Sequence, residues 1–238
     1  MKKVSLSVIL MVHNEETIIK QDIRSYYNTI TKKIPDSELI IAEDGSKDKT
    51  REIIKKLSKK IPLVLSTTPK RLGYARSLRI ALRKARGDLV FFADSGGKHS
   101  SSDFWKLYSK IGEYDFVSGY KYKRRDSWYR LLLALGLNTI VNMYFNTRFR
   151  DIDSGFKLFT RSVKDKVLER PWILKNNISL EIVLRAVRAG YRAHEVPIKH
   201  FSRSGESRGL PLKKVPQSII NVLTSLSKIK KDTKGRYR

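Results

Sequence analysis

Four short stretches of the chain combine carboxylates, glycines and cations at spacings that can do chemistry. In Glu43-Asp44-Gly45-Ser46-Lys47-Asp48-Lys49-Thr50, two adjacent acids precede a Gly-Ser turn. Gly45 permits the tight turn, and Ser46 or Asp48 can cap a following helix. Neither accounts for the paired carboxylates, which can accept hydrogen bonds from a base N–H or a ribose hydroxyl. Asp94-Ser95-Gly96-Gly97-Lys98-His99 offers an acid able to bind a divalent cation that bridges a diphosphate, with His99 as a ligand or a support behind one. Its plain structural alternative is a glycine-rich turn capped by Asp94. In Asp151-Ile152-Asp153-Ser154-Gly155-Phe156-Lys157, either Asp can act as a base or bind sugar hydroxyls; the alternative is a turn into a strand over 156–159. Arg203-Ser204-Gly205-Glu206-Ser207-Arg208 places two guanidiniums five apart, a spacing suited to clamping a phosphate.

These residues need a frame to hold them. Apolar runs at 6–11, 39–43, 62–66 and 88–93 read as strands. Between them, 16–30, 49–59 and 72–86 read as helices, the last closed by Gly87. Strands alternating with helices predict an α/β fold with a mostly parallel sheet, helices on both faces, and ligands beyond the carboxyl ends of the strands. That rule selects the loops 13–16, 44–48 and 94–102.

The second half is less regular. Residues 131–147 are 17 without a charge, the lower limit for a membrane span. Asn138, Asn142 and Asn146 recur at every fourth position, which puts three amides on one face. An amphipathic helix in a membrane interface and an ordinary half-buried helix both fit this pattern. Residues 179–189 read as a helix carrying Glu181, either a base or an exposed acid paired with Arg185 one turn on. Leu212, Val215, Ile219, Val222, Leu226 and Ile229 make one apolar stripe on a C-terminal helix. Packing on the domain, pairing with a second copy, or lying on a membrane all suit it. The chain is read as one domain over 1–210, with an amphipathic helix and basic tail over 211–238.

The chain has 238 residues, with 50 Lys or Arg against 23 Asp or Glu, a formal charge of +27. Such a surface favours anionic partners. With no cysteine, disulfides, zinc–cysteine sites and thiol nucleophiles are excluded. The apolar run after Met1-Lys2-Lys3 contains Ser5 and Ser7 and lacks a small-residue cleavage site, so it reads as a strand and the chain as intracellular. Basic residues crowd two zones, 120–130 (with Arg124, Arg125 and Arg130) and 199–238.

Taken in order, the motifs resemble the family-2 glycosyltransferases, and within them the polyprenyl- and dolichyl-phosphate sugar transferases, dolichyl-phosphate mannosyltransferase-like. The matching residues are Ser7-Val8-Ile9 with His13-Asn14-Glu15-Glu16, then 43–50, then Leu72-Gly73-Tyr74-Ala75-Arg76 with Ala85-Arg86-Gly87-Asp88. Asp94 with His99, Asp151 to Lys157, and Glu195-Val196-Pro197-Ile198 with 203–208 complete the set. The resemblance implies a GT-A nucleotide-sandwich fold and a nucleoside-diphosphate sugar donor. It implies Glu15, Glu43 and Asp44 at the base and ribose, and Asp94 at Mg2+ or Mn2+. A lipid phosphate acceptor (polyprenyl or dolichyl) is implied at a peripheral station on the cytoplasmic membrane face. Arg203 and Arg208 would face phosphates, helped by Arg124, Arg125 or Arg130. The chain departs from the pattern at the metal loop. Gly96 stands where the second acid of Asp-x-Asp is usual, and Lys98 where Gln often precedes the His. Lys98 can place an ammonium where the cation's charge would be.

The implied reaction is a single displacement that inverts the anomeric centre, moving mannose or glucose. An anionic phosphate acceptor needs no strong base; a hydroxyl acceptor would take one from Asp151, Asp153 or Glu181. Two other readings stand beside it. One is the same fold with a saccharide hydroxyl as acceptor; the other is a non-catalytic homologue holding nucleic acid or anionic membrane. Against the last, no nucleic-acid fold motif occurs, so no specific nucleic-acid partner is expected. The C-terminal stripe leaves a homodimer open.

Overall fold

A computed structural model describes residues 3–122, 128–175, 177–201 and 215–233. Seven strands form one sheet: β1 (Leu6–Val12), β2 (Ser37–Asp44), β3 (Leu63–Thr68), β4 (Leu89–Asp94), β5 (Phe116–Tyr122), β6 (Phe156–Thr160) and β7 (Ala193–Lys199). Their order is β3-β2-β1-β4-β6-β5-β7. β1 pairs parallel with β2 and β4, and β5 parallel with β7. Only β6 is reversed, antiparallel to β4 and to β5. The expected α/β architecture with a mostly parallel sheet is present.

The helices are α1 (Ile19–Tyr26), α2 (Thr50–Ser58), α3 (Tyr74–Lys84), α4 (Phe104–Tyr108), α5 (Trp128–Phe145), α6 (Arg161–Leu168), α7 (Ile178–Arg188) and α8 (Val215–Asp232). Apolar clusters lie on both faces of the sheet: Ile9, Ile40, Phe92 and Phe159 on one, Leu10, Ile41, Phe91 and Leu158 on the other. All seven residues of β1 are buried, as a central parallel strand demands. Ser7, which interrupts the apolar run, is satisfied there: its hydroxyl donates to Glu38 (2.7 Å) and accepts the Gly87 N–H (2.8 Å).

Helix starts differ from the sequence pattern where loops take the backbone first. α1 begins at Ile19 rather than 16, because Asn14 adopts a left-handed φ of 51° and the Glu15 and Glu16 amides donate to Thr50 and Asp48. It then widens into a π turn over Tyr27–Thr31, where the Thr31 hydroxyl bonds the Tyr27 carbonyl. α3 begins at Tyr74 rather than 72, because the Leu72 and Gly73 amides are given to Asp44.

The asparagine stripe of α5 holds a loop. Asn138 donates to the Arg150 carbonyl (2.7 Å) and accepts the Ile152 N–H (3.2 Å). Asn142 donates to the Phe149 carbonyl (2.8 Å) and accepts from the Phe149 N–H and the Thr147 hydroxyl. Asn146 ends the helix in the left-handed region, φ 53°. The outward face is apolar: Leu132 is 58% exposed, Leu135 64% and Met143 80%. No described helix is long and apolar enough to cross a membrane. α8 packs through Leu226 and Ile229, both buried, and its Asp232 pairs with Arg170 and Arg185.

Asn142→Ala leaves the part-buried Phe149 N–H and carbonyl without their amide partners. The expected cost is about 1–3 kcal/mol, read as a lower urea midpoint, with faster amide exchange over 147–152 and unchanged exchange in β1.

Candidate active site

The carboxyl ends of β1, β2 and β4 and the amino end of β6 meet at one edge of the sheet. At β2, the adjacent acids point to opposite faces, as successive strand residues must. Asp44 accepts the Leu72 N–H (2.7 Å) and the Gly73 N–H (2.9 Å), fixing the entry to α3. Its main-chain carbonyl receives His13 Nδ1 at 2.8 Å. Glu43, expected at a base or ribose, is instead wholly buried. One oxygen takes Arg51 Nε (2.9 Å) and Nη2 (2.7 Å), and the other the Ser46 N–H. It therefore braces the β2 loop rather than offering an oxygen to the cleft. Glu15 is buried, its amide on the Thr50 hydroxyl and its carboxylate beside Gly96.

At β4, Asp94 is the acid that reaches the cleft. Oδ1 accepts the Tyr74 hydroxyl at 2.8 Å, and Oδ2 lies 3.9 Å from Lys98 Nζ. Its amide donates to the Gly155 carbonyl (3.1 Å), and its carboxylate rests on Gly155 so closely that a Cβ there would stand 2.6 Å from Oδ2. Burial of its hydroxyl, reinforced by Asp94, holds the Tyr74 phenol well above its ordinary pKa, so it stays a donor. The following turn is tied from behind: Asp22 accepts the Gly96 (2.7 Å) and Gly97 (3.2 Å) N–H groups. His99 is buried against Phe156 and His200, and burial pushes it down to about 3, so the ring is neutral at pH 7. Among the described residues, no group of three or more His, Asp or Glu side chains is placed to hold a metal ion. Asp94 and His99, the residues expected to do so, do not make a cation cage by themselves.

The loop before β6 brings charge of both signs. Asp151 is buried, with Lys121 Nζ at 3.5 Å and the Lys121 N–H at 3.4 Å. Asp153 keeps some surface in the cleft and accepts from Asn177 Nδ2 (2.5 Å). Crowding of its carboxyl by the surrounding protein pushes it up to about 6, against the opposing pull of Asn177, Lys121 and Lys157. Lys157 is fully buried, donating to the Ser118 hydroxyl (2.9 Å) and the Ile152 carbonyl (3.3 Å). Burial lowers it to about 8, opposed by Asp151, Asp153 and Glu195. Glu195 holds the loop from the other side through the Arg150 (2.6 Å) and Asp151 (3.1 Å) amides; burial raises its pKa.

Glu181 pairs with Arg185 as its spacing foretold, but in the core. It is wholly buried and accepts Arg185 Nε (2.8 Å) and the Ile173 and Leu174 amides. These bonds occupy its carboxylate in holding the turn before α7, so it is a brace and presents no base. Arg124, Arg125, Arg203 and Arg208, and the side chain of Arg130, lie outside the described residues. Asp22, Tyr74, Lys121, Lys157 and Asn177 join the site without having been singled out. Tyr74 and Lys157 stood inside motifs already noted, and Lys121 inside the basic zone 120–130; Asp22 and Asn177 carried no local signal.

Comparisons with known proteins bear on the family and the fold. A family model described as Glycosyl transferase family 2 matches residues 7–168. Glycosyltransferase AglD of Haloferax volcanii is 28% identical over 211 residues, taking in 82% of this chain and 33% of AglD. Dolichyl-phosphate beta-glucosyltransferase ALG5A of Trichomonas vaginalis is 25% identical over 241 residues, taking in 95% of this chain and 73% of ALG5A. The chain thus spans about a third of one relative and nearly three quarters of the other. Among solved structures, glucosyl-3-phosphoglycerate synthase from Mycobacterium tuberculosis, in complex with Mn2+, uridine diphosphate and phosphoglyceric acid, superposes with a TM-score of 0.71. Its identity is 19%, over 94% of this chain and 78% of that one. That likeness is one of fold.

A carboxyl raised in the folded state favours folding below its unfolded pKa of about 4 and loses that contribution as pH rises through the folded value of about 6. Asp153→Asn removes this dependence. Its stability relative to the native protein should rise by about 2 kcal/mol between pH 4 and pH 7, measured by urea unfolding of the unliganded protein. A constant difference across that range would remove Asp153 as the titrating group.

Proposed function

Because the chain belongs to glycosyl transferase family 2, we propose that it moves a glucosyl group from a nucleoside-diphosphate sugar to a polyprenyl or dolichyl phosphate, at the cytoplasmic face of a membrane. The observation that carries this reading is the meeting of Asp94, Tyr74 and the Asp151–Asp153 loop at the strand ends, on a chain matched over 95% of its length by a dolichyl-phosphate glucosyltransferase. Glucose is preferred to mannose on the same ground.

In this reading the acceptor phosphate oxygen attacks the anomeric carbon from one side while the nucleoside diphosphate leaves from the other. One carbon–oxygen bond forms, one breaks, and the configuration inverts. The acceptor arrives as an anion, so no deprotonation limits the step. Asp44 and Glu15 stand at the nucleoside end. Asp153, titrating near pH 6, is charged at neutral pH and is available to sugar hydroxyls. Lys157 and Lys121 hold the Asp151–Asp153 loop by charge from within. A divalent cation at Asp94 would supply Lewis acidity to the leaving diphosphate, but the β4 turn offers it a single carboxylate.

The lipid acceptor gives the outward face of α5 a role. Leu132, Leu135 and Met143 form an apolar surface on a chain of charge +27. That combination suits peripheral seating on an anionic bilayer.

The test is transfer of labelled glucose from UDP-glucose into organic-extractable polyprenyl phosphate, with GDP-mannose alongside. Asp153→Ala should lower turnover by about a hundredfold or more, as loss of a group on the reacting sugar does. Leu135→Glu with Met143→Glu should release the protein from phosphatidylglycerol vesicles and slow lipid-dependent transfer, leaving nucleotide binding unchanged. Glucosylation of a free saccharide with no lipid product would favour the hydroxyl-acceptor reading instead.

A further inference from the structure

We propose that Lys98, and not a bound divalent cation, neutralises the donor diphosphate at the end of β4. The inference rests on the transferase reading and concerns how that site holds its nucleotide. A hard dication takes six or more oxygens and is normally fixed by carboxylates together with the phosphates. The β4 turn provides one carboxylate, Asp94, and its geometry disfavours a second at position 96. Position 96 has a φ of 94°, a conformation that side chains other than glycine rarely adopt. Its N–H is committed to Asp22 at 2.7 Å. A Cβ built there would stand 3.3 Å from both carboxylate oxygens of Glu15, so an acid at 96 would meet a buried acid.

The positive charge is supplied by the chain itself. Lys98 Nζ lies 3.9 Å from Asp94 Oδ2, at the limit of an ion pair with the carboxylate a cation would need, and the Tyr74 hydroxyl occupies the other oxygen. The backbone under Lys98 is fixed: its carbonyl accepts the Phe201 N–H at 3.0 Å, and the next residue bridges to His200. The side chain is about one third exposed, leaving its ammonium free to move from Asp94 onto an arriving phosphate. His99 beside it is neutral and adds no charge. One ammonium on a flexible stem, aimed by an acid and a fixed backbone, thus stands beside the acid that ends β4.

Calorimetry with UDP and GDP as probes, in Mg2+, in Mn2+ and in EDTA, tests this without reference to turnover. The expected result is that at least one nucleotide binds, with an affinity in EDTA within about threefold of that in Mg2+. Lys98→Ala should weaken binding in EDTA about tenfold or more, the scale of one charged hydrogen bond. Lys98→Arg should retain most of the affinity, and circular dichroism should show both variants folded. Binding abolished by EDTA, or unaffected by Lys98→Ala, would overturn the inference and leave the transferase reading standing. Failure of both nucleotides to bind in every buffer would overturn both.

Discussion

The site depends on one reversed strand. In an all-parallel sheet, only the loops that follow strands reach the carboxyl edge. β6 runs against β4, so the segment that precedes it arrives at the same edge as the residues that end β4. The pairing of Ala93 with Phe156 then sets Asp94 directly over Gly155, at a distance no side chain would survive. Every acid of the 151–153 loop is placed relative to Asp94 by that contact. A side chain at 155 would have to push the two halves of the sheet apart, or turn the Asp94 carboxylate away from Tyr74.

Charge at this edge is arranged by burial as much as by pairing. The chain is strongly basic, yet many of its acids are spent inside it. Glu43 on Arg51, Glu181 on Arg185, Asp22 on two glycine amides and Glu195 on two loop amides are all internal clamps. Removing such groups from water is costly, and each is repaid by directed hydrogen bonds rather than by Coulomb attraction alone. Lys157 is the complement. Its buried ammonium sits under the Ile152 carbonyl with acids around it, which balances a loop that would otherwise gather three carboxylates. The effect is to leave few groups facing the cleft, Asp94, Asp153, Tyr74 and Lys98 among them, the two acids and the phenol held by hydrogen bonds.

What could be read from sequence follows from how far each interaction reaches along the chain. The strands and helices of the first half were legible because hydrophobic period and turn residues are local, and the loops at strand ends followed from the sheet rule. Asp44, Asp94, Asp151 and Asp153 fall at the shared edge for that reason. Glu43 and Asp44 looked alike in sequence; only the alternation of the strand and the position of Arg51 separate a brace from a loop clamp. Asp22 was invisible because its partners are more than seventy residues away. Lys157 read as a strand residue because nothing local says that Ser118 lies across the sheet from it. Glu181 shows the same limit: its pairing with Arg185 is local and was foreseen, whereas its burial depends on the turn at 173–174.

α5 joins these two scales. Its amides fitted either a membrane-interface helix or an ordinary half-buried one, and two of them bracket residues 147–152 from within. A helix whose polar side chains are consumed inward must expose what remains, and what remains is leucine, isoleucine and methionine. The same 18 residues therefore present an apolar face outward and grip the backbone of the Asp151 loop inward. Asn138 and Asn142 bond that backbone directly, at Phe149, Arg150 and Ile152, with no intervening element.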